Sequence, residues 1–311
     1  MPRYRIVSLD GGGVRGALSA RLLERIAAER PAALGAVDLY AGASTGAILA
    51  VGLAKGLTPG DLVAFYRDRS AIAFRDTALD DIRDLGRMLG AEYSTADRRR
   101  AIEPVLGRAT LADLPKRVMI ATFVLDSENP LVQRTPGVSR SWRAKFFHNY
   151  PGPDSDGGQT AVDVVMRSSA APTYFPIYQG FIDGGVVANN PAMCALAQAL
   201  HPRTGGQDLR DVALLSVGTG HKPHFIAERD GDWGLARWGP ALIELLFDAG
   251  IGLADYQCRQ LLGDCYFRLN CDLDRNVDLD AVSQVPALIE MANRVDLAPV
   301  LAWLDRQWLA A

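Results

Sequence analysis

Histidine is scarce in this 311-residue chain, which has four: His148, His201, His221 and His224. None stands in a glycine-marked strand end, where α/β proteins gather reacting groups. His221 and His224, just past "SVGTG", stay open as candidates that reach a site from outside it. Cysteine is equally rare. Cys258, Cys265 and Cys271 have six and five residues between them, with no C-x-x-C pair and no histidine partner nearby. That spacing excludes a disulfide scaffold and a zinc knuckle, and points to free thiols in a reducing compartment. Excess positive charge is missing too: 33 basic against 36 acidic residues give a net charge of -3, so no nucleic-acid polymer is expected as a partner. The short cluster Arg98-Arg99-Arg100 reads as a solvated helix face. No stretch approaches the roughly 18–20 apolar residues of a membrane span. The first hydrophobic stretch, "YRIVSLDGGG", is broken by Asp10 before it could serve as a secretory leader. A cytoplasmic protein is the expectation.

What the chain does have is an ordinary globular balance, 49% hydrophobic and 22% charged, and an alternation of strand-like and helix-like runs. "RYRIVSL" ends at Asp10, and "GALSARLLERIAAERP" follows with helical spacing through Leu18, Leu22, Leu23 and Ile26. "VDLYAGA" leads into "STGAILAVGLAKG", a helix closed by glycine. A helical region runs on from Pro59 and Asp61 to about residue 107. "RVMIATFVLD" (117–126) and "AKFFHNY" (144–150) read as strands, and "PGPDSDGGQ" after them as a surface loop. "AVDVVMRSSAA" is a helix stopped near Pro172, and "GFIDGGVVANN" a short strand breaking into a loop. Pro191 opens the helix "PAMCALAQAL", and "DVALLSVGTG" (211–220) reads as the last core strand. This predicts an α/β fold, a mainly parallel central sheet with helices on both faces. One domain is expected over residues 1–311, with an α/β core in 1–220 and a mostly helical cover in 221–311.

Three strands end in unusual glycine-rich sequences: "SLDGGGVRG" (8–16), "GASTG" (42–46) and "FIDGG" (181–185). In the second, Ser44 sits between Gly42 and Gly46 at a strand-to-helix turn. A nucleophile on such a turn has a strained backbone and little room for side chains two residues either side, and the helix N-terminus favours negative charge beside it. In the first, Gly11, Gly12 and Gly13 can point successive amides at an anion. The same letters fit the dinucleotide pattern Gly11-x-Gly13-x-x-Gly16. That reading needs an acidic residue at the end of the second strand, where the chain instead has Tyr40-Ala41-Gly42-Ala43-Ser44; Asp38 lies several residues early. A P-loop fails because no G-K-[ST] follows. In the third, Asp183 precedes Gly184 and Gly185 and can approach a neighbouring loop closely. To act as a base its pKa must be lifted from the usual ~3.9 by desolvation; otherwise it is a turn residue.

Together these blocks resemble the patatin-like phospholipases. The family pattern D-G-G-G-x-R-G, G-x-S-x-G, a block like "SSAAPTYFP" and D-G-[GA] followed by "NNP" stands here in order at Asp10–Gly16, Gly42–Gly46, Ser168–Pro176 and Asp183–Pro191. "DYQCRQLLGDCYFRLN" (255–270) resembles the family's late segment. The resemblance implies Ser44 as nucleophile and Asp183 as its sole catalytic partner, with no histidine. It implies an oxyanion hole from Gly11, Gly12 and Gly13, whose loop Arg15 helps to fix, and Asp10, Gly16, Gly42, Gly46, Gly184 and Gly185 as supporting positions. It further implies hydrolysis of phospholipid or other lipid acyl esters, no metal and no cofactor. Related serine acyltransferases pair the elbow with a late histidine, for which there is no match, so a serine acyltransferase stays only as a minor alternative.

Two function classes follow: a constitutive lipid acyl hydrolase, or a phospholipase effector gated by a small-molecule activator such as a cyclic nucleotide. Either would work peripherally at a membrane surface. "DWGLARWGPALIELLFDAGIGLADY" (232–256) carries Trp233, Trp238, Leu242, Ile243, Leu246 and Phe247. It reads as a core-packed helix or as a segment that docks on lipid or lines an acyl channel. Residues 70–100, which lack the strand signals around them, are a candidate contribution to a lid.

Overall fold

Side chains of the central strand β1 (Tyr4–Leu9) alternate between two apolar clusters, Val7 and Leu9 in one and Ile6 in the other. A strand buried on both faces needs helices above and below it, and that requirement organises the chain. The computed structural model describes residues 4–75, 91–132, 137–221, 225–226 and 231–310. The other strands are β2 (Leu39–Ala43), β3 (Arg117–Val124), β4 (Arg143–His148), β5 (Phe181–Asp183), β6 (Val212–Val217) and β7 (Tyr266–Leu269). The sheet runs β4-β3-β2-β1-β6-β7, with β5 paired to β3. β1, β2, β3, β6 and β7 are parallel, while β4 and β5 lie antiparallel against β3.

Helix α1 (Gly16–Glu29) buries Leu18, Leu22, Leu23 and Ile26 and stops before Pro31; the short α2 (Ala32–Gly35) follows. α3 (Thr45–Lys55) is buried along nearly its whole length, as its small side chains allow, and ends on Gly56 in the left-handed region at φ 103°. α4 (Pro59–Ala73) starts with a capping box. Thr58 Oγ accepts from the Asp61 amide at 3.1 Å, and Asp61 accepts from the Thr58 amide at 2.8 Å. α5 (Thr95–Leu106) is capped by Ser94, and α6 (Ala161–Ser168) by Thr160. Then come α7 (Gly185–Ala188), α8 (Ala192–Leu200), the 28-residue α9 (Leu235–Leu262), α10 (Val285–Arg294) and α11 (Ala298–Trp303). Residues of α1, α3, α4 and α10 join the cluster on one face of the sheet, and α8 with the C-terminal part of α9 joins the other.

The fold is the expected one, with two refinements. The sheet is mixed at one side, and Val212–Val217 is not its last strand: β7 adds a parallel edge beside β6. A four-residue strand following a long helix has too little periodicity to be distinguished from the helix end in sequence. No helix among the described residues is long and apolar enough to cross a membrane.

The registers along β3 position the site. One edge of β3 carries β4 from Met119 to Val124. On the other edge β2 ends with Ala43 opposite Ala121, and the next residue, Thr122, faces Asp183 of β5. β5 therefore takes over the edge where β2 leaves it. The residue after Ala43 is Ser44, so the seam between two strands of opposite direction brings Ser44 and Asp183 together.

Candidate active site

Ser44 occupies the turn between β2 and α3 with φ 53° and ψ −121°, a strained setting for a residue with a side chain. The turn is possible because its flanks are bare. A Cβ on Gly42 would lie 2.2 Å from the Gly46 carbonyl oxygen, and one on Gly46 would lie 2.1 Å from that of Leu9. The Ser44 amide donates to Ser168 Oγ at 3.0 Å, and the Ser168 hydroxyl donates to the Ala121 carbonyl at 2.7 Å.

Asp183 is fully buried. Its Oδ1 accepts from the Gly185 amide at 2.7 Å, while Oδ2 makes no hydrogen bond of ordinary geometry. Burial lifts its pKa to about 7, against the opposing effects of the Ser44 hydroxyl, the Gly185 amide and the Arg98 guanidinium. The segment after α6 steadies both residues: Asp183 N donates to Ala170 O and Gly184 N to Ser168 O, each at 3.0 Å. The "SSAAPTYFP" block, legible only as a pattern in the sequence, is the bracket between them.

The glycine loop is set by its own contacts. Asp10 is held by a bidentate pair with Arg268 of β7, at 3.0 and 2.5 Å, and Arg268 also donates to Ser216 Oγ at 2.8 Å. The Gly11 amide, one of the three donors expected for an oxyanion, is engaged: it donates to the Asn189 carbonyl at 2.9 Å. The amides of Gly12 and Gly13 donate to no group among the described residues, and both glycines line a cavity with Ser44 and Asp183. Gly13 needs its freedom, with φ 57° and the Leu279 carbonyl 2.0 Å from where a Cβ would stand. Arg15 is buried, with Nε donating to the Gly12 carbonyl at 3.3 Å, and Gly16 opens α1 against Tyr66 and Thr45.

The cavity encloses about 750 Å³ including its open mouth. Its walls are largely apolar, with Ile48, Phe65, Phe74, Ile102, Phe175 and Phe247 prominent. Phe74, Tyr93 and Phe175 form an aromatic group with ring centroids 5.3–5.7 Å apart. Arg98 of α5 also lines it, so the reading of Arg98 as part of a solvated basic face is corrected: Arg98 is 2% exposed. Its guanidinium lies 4.5 Å from the Phe175 ring centre, and one nitrogen donates to the Ser169 carbonyl. Burial lowers its pKa to about 10, an effect Asp183 and Tyr178 oppose.

No described histidine lines the cavity: His148 is buried on β4, His201 and His221 are exposed, and His224 lies outside the described residues. Among the described residues no group of three or more His, Cys, Asp or Glu could hold a metal ion. The segment 232–256 has two apolar faces. Phe247 lines the cavity and Ala254 is buried, while Trp238, Leu242, Leu245, Leu246, Leu253 and Tyr256 are exposed along the opposite side of α9. Of the candidate lid segment 70–100, residues 76–90 lie outside the described residues.

A glycine loop, a serine turn and a buried aspartate converging on one apolar cavity, all at the ends of strands of a mixed α/β sheet, define the architectural class. The sequence profile described as patatin-like phospholipase matches residues 7–196. The chain is 32% identical over 336 aligned positions to Protein teg of Priestia megaterium, covering 99% of this chain and 100% of that one. It is 30% identical over 336 positions to the putative sporulation hydrolase CotR of Bacillus subtilis, covering 99% of both. To a cGAMP-activated phospholipase of Pseudomonas aeruginosa it is 30% identical over 298 positions, covering 92% of this chain and 84% of the relative. The chain belongs to the patatin-like phospholipase family.

Proposed function

We propose that the protein is a lipid acyl hydrolase of the phospholipase A or lysophospholipase type, acting through an acyl-serine intermediate and a Ser44–Asp183 dyad. The observation that carries this reading is the pair itself: a strained serine beside a fully buried aspartate with one oxygen fixed and the other open. Asp183 takes the Ser44 proton as Oγ attacks the ester carbonyl, and the amides of Gly12 and Gly13 receive the oxyanion. One such donor is typically worth about 3 kcal/mol in the transition state. Collapse breaks the ester C–O bond, and the alcohol leaves with the proton from Asp183. Water then gives a proton to Asp183 while its oxygen bonds to the acyl carbon. The acyl–Oγ bond breaks, Ser44 regains its proton, and a fatty acid departs. A carboxylate at an ordinary pKa is a weak base for this task, and burial makes it a better one.

The domain is proposed to be single, with the late segment contributing to the same site through Arg268 and Phe247. The exposed stripe of α9, with the cavity on the helix's other side, supports work at a membrane surface as a peripheral protein. A second reading, activation by a cyclic-nucleotide-type ligand, is favoured by the relatives named cGAMP-activated phospholipase. The deciding experiment is fatty-acid release from mixed phospholipid vesicles by wild type, Ser44→Ala and Asp183→Asn, each with and without cyclic dinucleotides. Activity that falls to background in both folded variants supports the dyad, and full activity in Ser44→Ala ends it. Release only with the added nucleotide favours the gated reading.

A further inference from the structure

Arg98 is expensive to bury. It is 2% exposed, and its Nε and one terminal nitrogen have no hydrogen-bond partner. Among the described residues its side chain has one hydrogen bond, to the Ser169 carbonyl, and its flat face rests on Phe175. It forms no ion pair within 4 Å with Asp183, the carboxylate whose charge it feels. Buried donors left open in this way are normally completed by a ligand or by water. Both Arg98 and the open Oδ2 of Asp183 belong to one largely apolar cavity. The second arginine there, Arg15, is differently placed: its Nε is spent on Gly12, and it feels Asp248, Glu244, Asp278 and Asp10.

We propose that Arg98 is a carboxylate-binding residue of the acyl pocket, holding the head of the free fatty acid once it has left Ser44. This rests on reading the cavity as the acyl site of a lipid hydrolase. The fatty acid released by hydrolysis gives up its proton to solvent water above its pKa, which leaves an anion inside apolar walls and beside Asp183, which repels it when ionised. A carboxylate there needs a charge-assisted partner, and Arg98 has two open donors for it. The planar guanidinium suits the two oxygens of a carboxylate. A phosphate head would offer similar oxygens, so the test separates the two sources.

The experiment uses the Ser44→Ala protein at pH 8, so that no turnover intrudes, and measures calorimetric binding of laurate, dodecanol and dodecyl phosphate below their micelle concentrations. Laurate is expected to bind about tenfold or more tighter than dodecanol, the range for a hydrogen bond to a buried charge. Arg98→Met is expected to erase that preference while keeping dodecanol affinity, and Arg98→Lys to retain part of it. No preference for laurate in the parent overturns the proposal without recourse to any Arg98 variant, so a misfolded variant does not shield it. Equal loss of laurate and dodecanol in a folded Arg98→Met protein overturns it in favour of a packing role. Tighter binding of dodecyl phosphate than laurate overturns it in favour of a headgroup site. Binding of neither laurate nor dodecanol removes the acyl-site reading as well, whereas equal binding of both removes only the role of Arg98.

Discussion

The pH dependence of ester hydrolysis is a direct consequence of where Asp183 sits. The group is fully buried and its pKa is raised to about 7, with burial as the main cause. If its ionised form is the base, kcat/KM rises with pH and levels above neutrality. A single ionisation at that value leaves about one-tenth of the plateau at pH 6 and about one-hundredth at pH 5. The assay is hydrolysis of a soluble short-chain p-nitrophenyl ester from pH 5 to 9, which avoids any titration of a membrane surface. The charged groups around Asp183 in the cavity are Arg98 and Arg15, and no described histidine lines it. Among the described residues, therefore, no imidazole in the cavity is a source for an inflection near 7. A flat profile from pH 5 to 9 is what an ordinary carboxylate gives, and it would refute the argument. The same shift has a stability side. The folded pKa lies above the unfolded value of 3.8, so the folded state holds the extra proton between about 4 and 7, and this group's contribution to stability falls as pH rises through that window. Asp183→Asn is thus expected to raise stability at pH 8, by as much as about 4 kcal/mol from the size of the shift, with the gain shrinking toward pH 4. A variant less stable than wild type at pH 8 would contradict this.

Three other perturbations follow from the geometry. Arg268→Met leaves Asp10 buried without its bidentate partner, and about 3–5 kcal/mol of stability is expected to disappear in urea titrations; an unchanged midpoint would mean the pair does not hold the glycine loop. Gly46→Ala drives a methyl group into the Leu9 carbonyl, so soluble-ester activity should fall sharply and stability by about 1–3 kcal/mol or more; a wild-type rate would show that the serine turn tolerates the shift. Replacing Leu245 and Leu253, both exposed on α9, with serine should lower vesicle hydrolysis several-fold while leaving the soluble ester unaffected, since neither residue lines the cavity. Equal effects on both substrates would place the stripe outside membrane docking.

Much of this was legible in sequence because the information is local. The strand, tight turn and helix around Ser44 lie within about twenty residues, and the glycines that permit the turn stand beside it. Asp183 was recognisable for the same reason, as a carboxylate before two glycines at a strand end. Contacts between distant segments were not legible. Arg268 reaches Asp10 across 258 positions, and nothing in "CYFRLN" announces it. Arg98 looked solvated because it stands in a run of three arginines, yet the helix turns only this one fully inward: Arg100 pairs with Asp97 at the surface. Gly11 looked equivalent to its two neighbours, and only the fold shows its amide already engaged by Asn189. α9 has apolar residues on both sides, so a single choice between core and interface had no correct answer.

The bracket formed by Ser168, Ser169 and Ala170 has a mechanical consequence. It accepts the amide of Ser44 on the Ser168 side chain, the amide of Gly184 on the Ser168 carbonyl, and the amide of Asp183 on the Ala170 carbonyl. The two proposed reacting residues come from strands of opposite direction, yet they hang from the same few atoms. The separation of the two is therefore set by the hydrogen bonds of this one segment as well as by the pairing of the strands along β3. Proton transfer depends on that separation to a fraction of an ångström, and one short segment fixes it from both sides.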